Sequence, residues 1–115
     1  MARTILASGT VTTDGTEQTI RDETGSEGKV LDALIDLGNS ISTETIEVRV
    51  YTKVLTGGAL RRIYFQKFVG AQDDEGTQRS PIVYIPAITA TTEWKLTIKK
   101  TAGTNRAYDW KVMSD

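Results

Sequence analysis

The sequence predicts an all-β fold: an antiparallel β-sandwich of about eight short strands, with a jelly-roll-like connectivity among the arrangements this strand count permits. Three observations carry that reading. Threonine occurs 18 times in 115 residues, and Val, Ile, Tyr, Phe and Trp fill much of what lies between turn residues. Such side chains lose little extra freedom on a pleated surface. Apolar and polar residues also alternate with period two in one segment after another, and turn signals recur roughly every ten residues, whereas no segment keeps a helical apolar period for long.

The first strand is expected over Arg3 to Thr12, with Asp14-Gly15 as a tight turn into a second strand, "TEQTIRDE". "ETGSEG", Glu23 to Gly28, reads as a surface loop. "KVLDALIDLGN" admits two readings. As a strand it puts Leu31, Ala33, Ile35 and Leu37 on one face and Asp32 and Asp36 on the other. As a helix it makes a stripe of Leu31, Leu34 and Ile35 over barely two turns, and the strand reading is preferred. "ETIEVRVYTKVL" alternates most clearly, with Ile46, Val48, Val50, Thr52 and Val54 against Glu47, Arg49, Tyr51 and Lys53.

"TGG", Thr56 to Gly58, is the turn into Arg61 to Val69, where Gly57 and Gly58 supply backbone freedom. That strand is apolar on both faces: Ile63, Phe65, Lys67 and Val69 on one, Arg62, Tyr64, Gln66 and Phe68 on the other. Lys67 marks a change of inward face, such as a bulge produces. Gly70 to Ser80 is a polar connection, and "PIVYIP" is an edge strand whose ends Pro81 and Pro86 set. "TTEWKLTIKK" alternates Trp94, Leu96 and Ile98 against charged and hydroxyl residues, and Tyr108, Trp110 and Val112 do so in the final strand. Between them "TAGTN", Thr101 to Asn105, reads as a hairpin turn in which Gly103 takes a positive φ, with Lys99, Lys100, Arg106 and Lys111 decorating a basic hairpin.

The length suits one domain, residues 1–115, able to bury about 65% of its unfolded surface. Cysteine and histidine are both absent, which removes disulfides, thiolate chemistry and the commonest general base and metal ligand. "MARTILASGTV" has no apolar core of signal-peptide length, and no 18-residue apolar run spans a membrane. Up to Glu47 nine residues are acidic and three basic; from Val48 onward six are acidic and eleven basic. This asymmetry either puts complementary patches on neighbouring copies or averages out as strands interleave.

Catalytic chemistry has few carriers. Asp32 and Asp36 on one strand face would stand about 13 Å apart, too far for a glycosidase pair, and read as solvated outer-face residues. Asp73, Asp74 and Glu75 lack a regular calcium-loop pattern and read as a solvated turn. No enzyme, metal or cofactor is therefore expected. Lys95, Lys99, Lys100, Arg106 and Lys111, with Arg61 and Arg62, raise nucleic-acid binding, but Trp94 and Trp110 align with core rows rather than with the lysines, as base stacking would need.

"GTEQTI" (Gly15 to Ile20), "IEVRVYTKVLTGGALRRIYF" (Ile46 to Phe65) and "WKLTIKKTAGTNRAYDWKV" (Trp94 to Val112) resemble, in that order, a group of small structural proteins of tailed phages. The departures are Lys-Lys where that group has Lys-Gln before the last turn, and "LDALIDLGN", which is less plainly strand-like. The resemblance implies a non-enzymatic virion component made in the host cytoplasm, a minor capsid or decoration protein that binds the major capsid protein and forms a homo-oligomer. It brings no catalytic residue. On that reading the outward Arg49, Tyr51, Lys53, Arg62, Tyr64 and Phe68 are the candidate contacts, because Tyr and Arg combine large buried area with directional hydrogen bonds. A tail, receptor-binding or carbohydrate-binding sandwich module is the other reading, and a row of exposed aromatic residues would favour it.

Overall fold

Period-two alternation becomes eight strands in the computed structural model, which describes residues 4–24, 28–41, 43–72, 81–89 and 92–115. They are β1 (Thr4–Thr12), β2 (Glu17–Thr24), β3 (Val30–Asp36), β4 (Thr45–Thr52), β5 (Arg61–Val69), β6 (Ile82–Thr89), β7 (Glu93–Ala102) and β8 (Ala107–Ser114). The disputed segment around Ile35 is the strand β3. Arg3, the middle of the "ETGSEG" loop (25–27) and the Asp73–Glu75 cluster lie outside the described residues.

Two four-stranded antiparallel sheets form, in the orders β1-β8-β3-β6 and β2-β7-β4-β5. Successive strands alternate between the sheets except at β4–β5, which pair with each other as a hairpin. This is the connectivity of a jelly-roll sandwich, two Greek keys wrapped together. It corrects the expected final hairpin. β7 pairs with β2 and β4, whereas β8 pairs with β1 and β3, so "TAGTN" crosses from one sheet to the other. A short turn and two alternating segments look the same in sequence whether the strands pair or face one another across a core.

The inward rows are those the alternation marks. Leu31, Ala33, Ile35 and Leu37 meet Ile46, Val48 and Val50, together with Trp94, Leu96, Ile98, Tyr108 and Val112, and all are buried. Trp110 packs partly buried against the same cluster, opposite Gly9 of β1, where an added Cβ would sit 3.3 Å from the indole.

Three expectations change. Asp32 is 6% exposed rather than solvated, because β3 is an inner strand and Tyr84 of β6 lays its hydroxyl on the carboxylate at 2.7 Å. Pro86 lies inside β6 and does not end it: Leu31 pairs with Ile88 and Ala33 with Ile85, so β6 carries an extra residue there. The edge position of β6 is as expected, and a bulge is where a strand tolerates a missing N–H. On β5 the slip falls at Ile63 rather than Lys67, since Tyr51 pairs with Arg62 and Val50 with Tyr64. Tyr64 and Phe68 therefore turn toward the core, while Lys67 faces outward opposite Glu47.

All four edge strands carry such an extra residue: near Leu6 in β1, Ile20 in β2, Ile63 in β5 and Pro86 in β6. A bulge twists an edge and interrupts its row of free backbone groups, which discourages edge-to-edge pairing between molecules.

Burial separates the two kinds of leucine here. Leu96→Ala should lower stability by about 3 kcal/mol, through lost apolar transfer and the cavity left behind. Leu55→Ala, at a site 72% exposed in the β4–β5 connection, should change it by less than about 0.5 kcal/mol. Urea-unfolding midpoints of the two variants check the contrast.

Candidate functional site

Several connections between the sheets meet at one end of the sandwich around Glu44. This residue precedes β4 by one position and keeps the inward parity of Ile46 and Val48, which leaves it 1% exposed. Its carboxylate accepts hydrogen bonds from the Ile41 amide (2.8 Å), the Thr104 amide (3.2 Å) and Arg106 Nε (2.6 Å). Its own carbonyl accepts from the Gly70 amide at 2.8 Å. The β3–β4, β5–β6 and β7–β8 connections are thereby tied at one residue. Arg106 extends the tie to β1–β2, because its carbonyl accepts from the Thr13 amide and its amide donates to the Thr13 hydroxyl, both at 3.0 Å.

Burial alone would raise the Glu44 pKa, but the Ile41 amide, the Arg106 guanidinium and the Thr104 amide together hold it below the usual carboxylate range. Burial and the nearby Glu44 charge push the Tyr108 phenol up. Sequence reasoning missed this pair, although a signal was there. Glu44 stands two residues before Ile46 and Arg106 two before Tyr108, so each extends an inward row by one step with a charge.

The four turn glycines divide. Gly15 (φ 88°) follows Asp14, whose carboxylate accepts from the Thr16 amide and hydroxyl at 2.9 and 2.6 Å. Gly103 (φ 96°) also packs directly on Glu44, so that any Cβ would overlap the Glu44 side chain. Gly57 and Gly58 are not in the positive-φ region, and their loop closes through the Gly58 amide on the Leu55 carbonyl at 2.8 Å.

The outer face of β2-β7-β4-β5 is a knitted polar surface. Glu17 accepts from the hydroxyls of Tyr51 (2.6 Å) and Thr97 (2.7 Å), and Arg49 binds Glu47 at 2.7 Å. Burial works against ionised Glu17, yet those hydroxyls with Arg49 and Lys95 lower its pKa, while burial and Glu17 raise that of Tyr51. Asp22 goes the other way, raised by burial and by its hydrogen bond with Glu93, which also pairs with Lys53 at 3.5 Å. Phe65 lies between two guanidiniums, Arg49 at 5.1 Å and Arg62 at 4.9 Å from the ring centroid.

Of the six candidate contacts, then, Arg49, Tyr51 and Lys53 face outward but hold partners within the chain. Tyr64 and Phe68 pack against the core, and Arg62 stands exposed on Phe65. The basic set is not one patch. Lys99 and Lys100 lie on β7, Lys111 lies in the other sheet, and Arg106 is committed to Glu44.

The outer face of β1-β8-β3-β6 differs in character. It holds an open depression of about 650 Å³ whose walls include Ile5, Leu34, Ile82, Asp36, Asp109 and Lys111. Ile5, Ile82 and neighbouring Tyr84 are each at least half exposed. Strand charges divide between the sheets: three acidic and one basic residue in the strands of this one, five acidic and eight basic in those of the other. No cluster of three or more potential metal ligands occurs among the described residues.

Two opposed faces around a jelly-roll core define a class of fold, the eight-stranded antiparallel sandwich. No family model and no curated protein matches the sequence. Among solved structures, the chain is similar to the infectious bursal disease virus VP2 subviral particle, with a TM-score of 0.52 at 11% identity over 98% of this chain. The chain spans 31% of the length of that VP2 chain.

Two predictions follow from the loop end. Gly103→Ala should cost about 2–4 kcal/mol, from left-handed backbone strain plus the overlap with Glu44, read as a fall in melting temperature. Because the folded-state pKa of Glu44 is depressed, its contribution is present above the unfolded value of 4.5 and is lost as pH falls through the lower folded value. Stability of the wild type should thus drop below about pH 4.5, and Glu44→Gln should flatten part of that acid limb while lowering stability at neutral pH. Unfolding midpoints across pH 3–7 measure both effects.

Proposed function

We propose that this chain is a non-enzymatic structural component of a virus particle, a minor capsid or decoration protein on the head of a tailed phage. The observation that carries the reading is the jelly-roll strand order, taken with the likeness to a viral capsid protein over 98% of the chain. The same architecture also serves lectins and cupins, so fold alone does not choose among functions. Chemistry narrows the choice, because the chain has no histidine or cysteine and the most buried carboxylate among the described residues, Glu44, is bound in a structural tie. The phage assignment rests on the three sequence segments that resemble tailed-phage structural proteins.

On this reading the partner is the major capsid protein, further copies of the chain share the particle, and the protein is made in the host cytoplasm. Arg62 on Phe65 is the contact best placed to serve, as an exposed guanidinium already oriented by a ring. A glycan-binding tip is less well supported. Among the described residues the exposed aromatic side chains, Phe65 and Tyr84, lie on opposite sheets rather than in a row.

Arg62→Glu should weaken attachment to particles lacking the protein at least about tenfold, while the melting temperature of the isolated chain stays within a few degrees of wild type. Co-sedimentation with such particles, beside a thermal melt, measures both. Unchanged attachment would count against the assignment of Arg62, and no attachment by the wild type would count against the virion reading.

A further inference from the structure

The β4–β5 hairpin ends in an apolar tip that the core does not use. Val54 is 87% exposed and Leu55 72% exposed, side by side, and the hairpin's returning strand opens with exposed Arg61 and Arg62. On the other sheet, the depression has apolar walls from Ile5, Leu34 and Ile82, with Asp36 and Asp109 outnumbering the one basic residue, Lys111, among them. No residue of the β4–β5 connection lines that depression within the same molecule.

We propose that the Val54-Leu55 tip of one copy seats in the depression on the β1-β8-β3-β6 face of a second copy, with Arg61 beside Asp36 and Asp109. Two apolar side chains fit readily within about 650 Å³. The sheets carry opposite charge balances, so tip-to-depression contact brings unlike signs together, whereas depression-to-depression contact brings acidic faces together. The four interrupted edge strands make ladder extension between copies the poorer alternative.

The contact is heterologous: each copy offers one tip and one depression, so association does not stop at two copies but continues to a ring or an open array. It is also small, below the roughly 1,000 Å² typical of a stable complex, so isolated copies associate weakly and tighten only when several contacts act together. The virion reading is not needed for this contact. Its test uses no particle, so either idea can fail alone.

Sedimentation velocity of the full chain, from about 10 μM to about 1 mM, should show concentration-dependent species larger than a dimer. Leu55→Asp, which removes the tip, and Ile82→Arg, which fills the depression, should each lower the association constant at least about tenfold. Mixed together, the two variants should form one-to-one dimers and nothing larger, because only one intact tip and one intact depression remain per pair. Dimer formation in the mixture also shows that both variants are folded. A wild type that stays monomeric, a wild type that stops at the dimer, a Leu55→Asp variant that assembles like wild type, or a mixture that stays monomeric would each overturn the proposal.

Discussion

The buried Glu44 carboxylate is the constraint on which the arrangement of the loop end depends. In this topology one pair of successive strands, β4 and β5, is joined by ladder hydrogen bonds, and every other connection crosses between sheets. With no cysteine, nothing covalent holds the sheets together apart from those connections. The apolar core pulls the two layers into contact without specifying how the crossing loops lie. Glu44 does specify it, through the Ile41 amide of its own connection, the Thr104 amide and Arg106 guanidinium of β7–β8, and its carbonyl, which takes the Gly70 amide of β5–β6. A carboxylate left in that position without those donors would be an uncompensated buried charge, so the loops are held in the arrangement that satisfies it. The absence of a side chain at Gly103 is part of the same solution, because only glycine lets the β7–β8 turn close over Glu44.

Closing the core in this way leaves two faces with different work. On β2-β7-β4-β5, Glu17, Tyr51, Thr97, Arg49 and Glu47 partner one another through hydrogen bonds and an ion pair, and such surface pairs contribute little stability individually. Their effect is to stiffen the face and to hold Phe65 between Arg49 and Arg62. On β1-β8-β3-β6, exposed isoleucines and Tyr84 stand beside aspartates. This apolar exposure is what the proposed contact between copies uses. Interrupted edges complete the division, since they steer contacts toward faces and loops.

Much of the core was legible in advance. The rows through Ile46, Leu96, Ile35 and Tyr108 follow from period two, because a buried sheet face admits few polar atoms. The candidate surface was legible only in part. Arg49, Tyr51 and Lys53 do face outward, but their partners come from β2, β4 and β7, which no local pattern announces. Tyr64 and Phe68 were misplaced because one extra residue at Ile63 reassigns the faces of a strand that is apolar on both sides. Asp32 was misread for another reason: alternation tells which side of a sheet a residue takes, not whether a neighbouring tyrosine covers that side.

By itself the chain determined which segments extend, which row of each is apolar, and where the punctuating glycines fall, all of which are properties of a few adjacent residues. The charge imbalance between its two halves was equally plain. Tertiary structure decided which strands pair, and with that whether the last two segments form a hairpin or face each other across a core. It also decided that the charges sort by sheet, and that Glu44 and Arg106, 62 residues apart, share one buried site. Those outcomes depend on contacts between segments distant in the chain, and strand alternation carries no record of its neighbours.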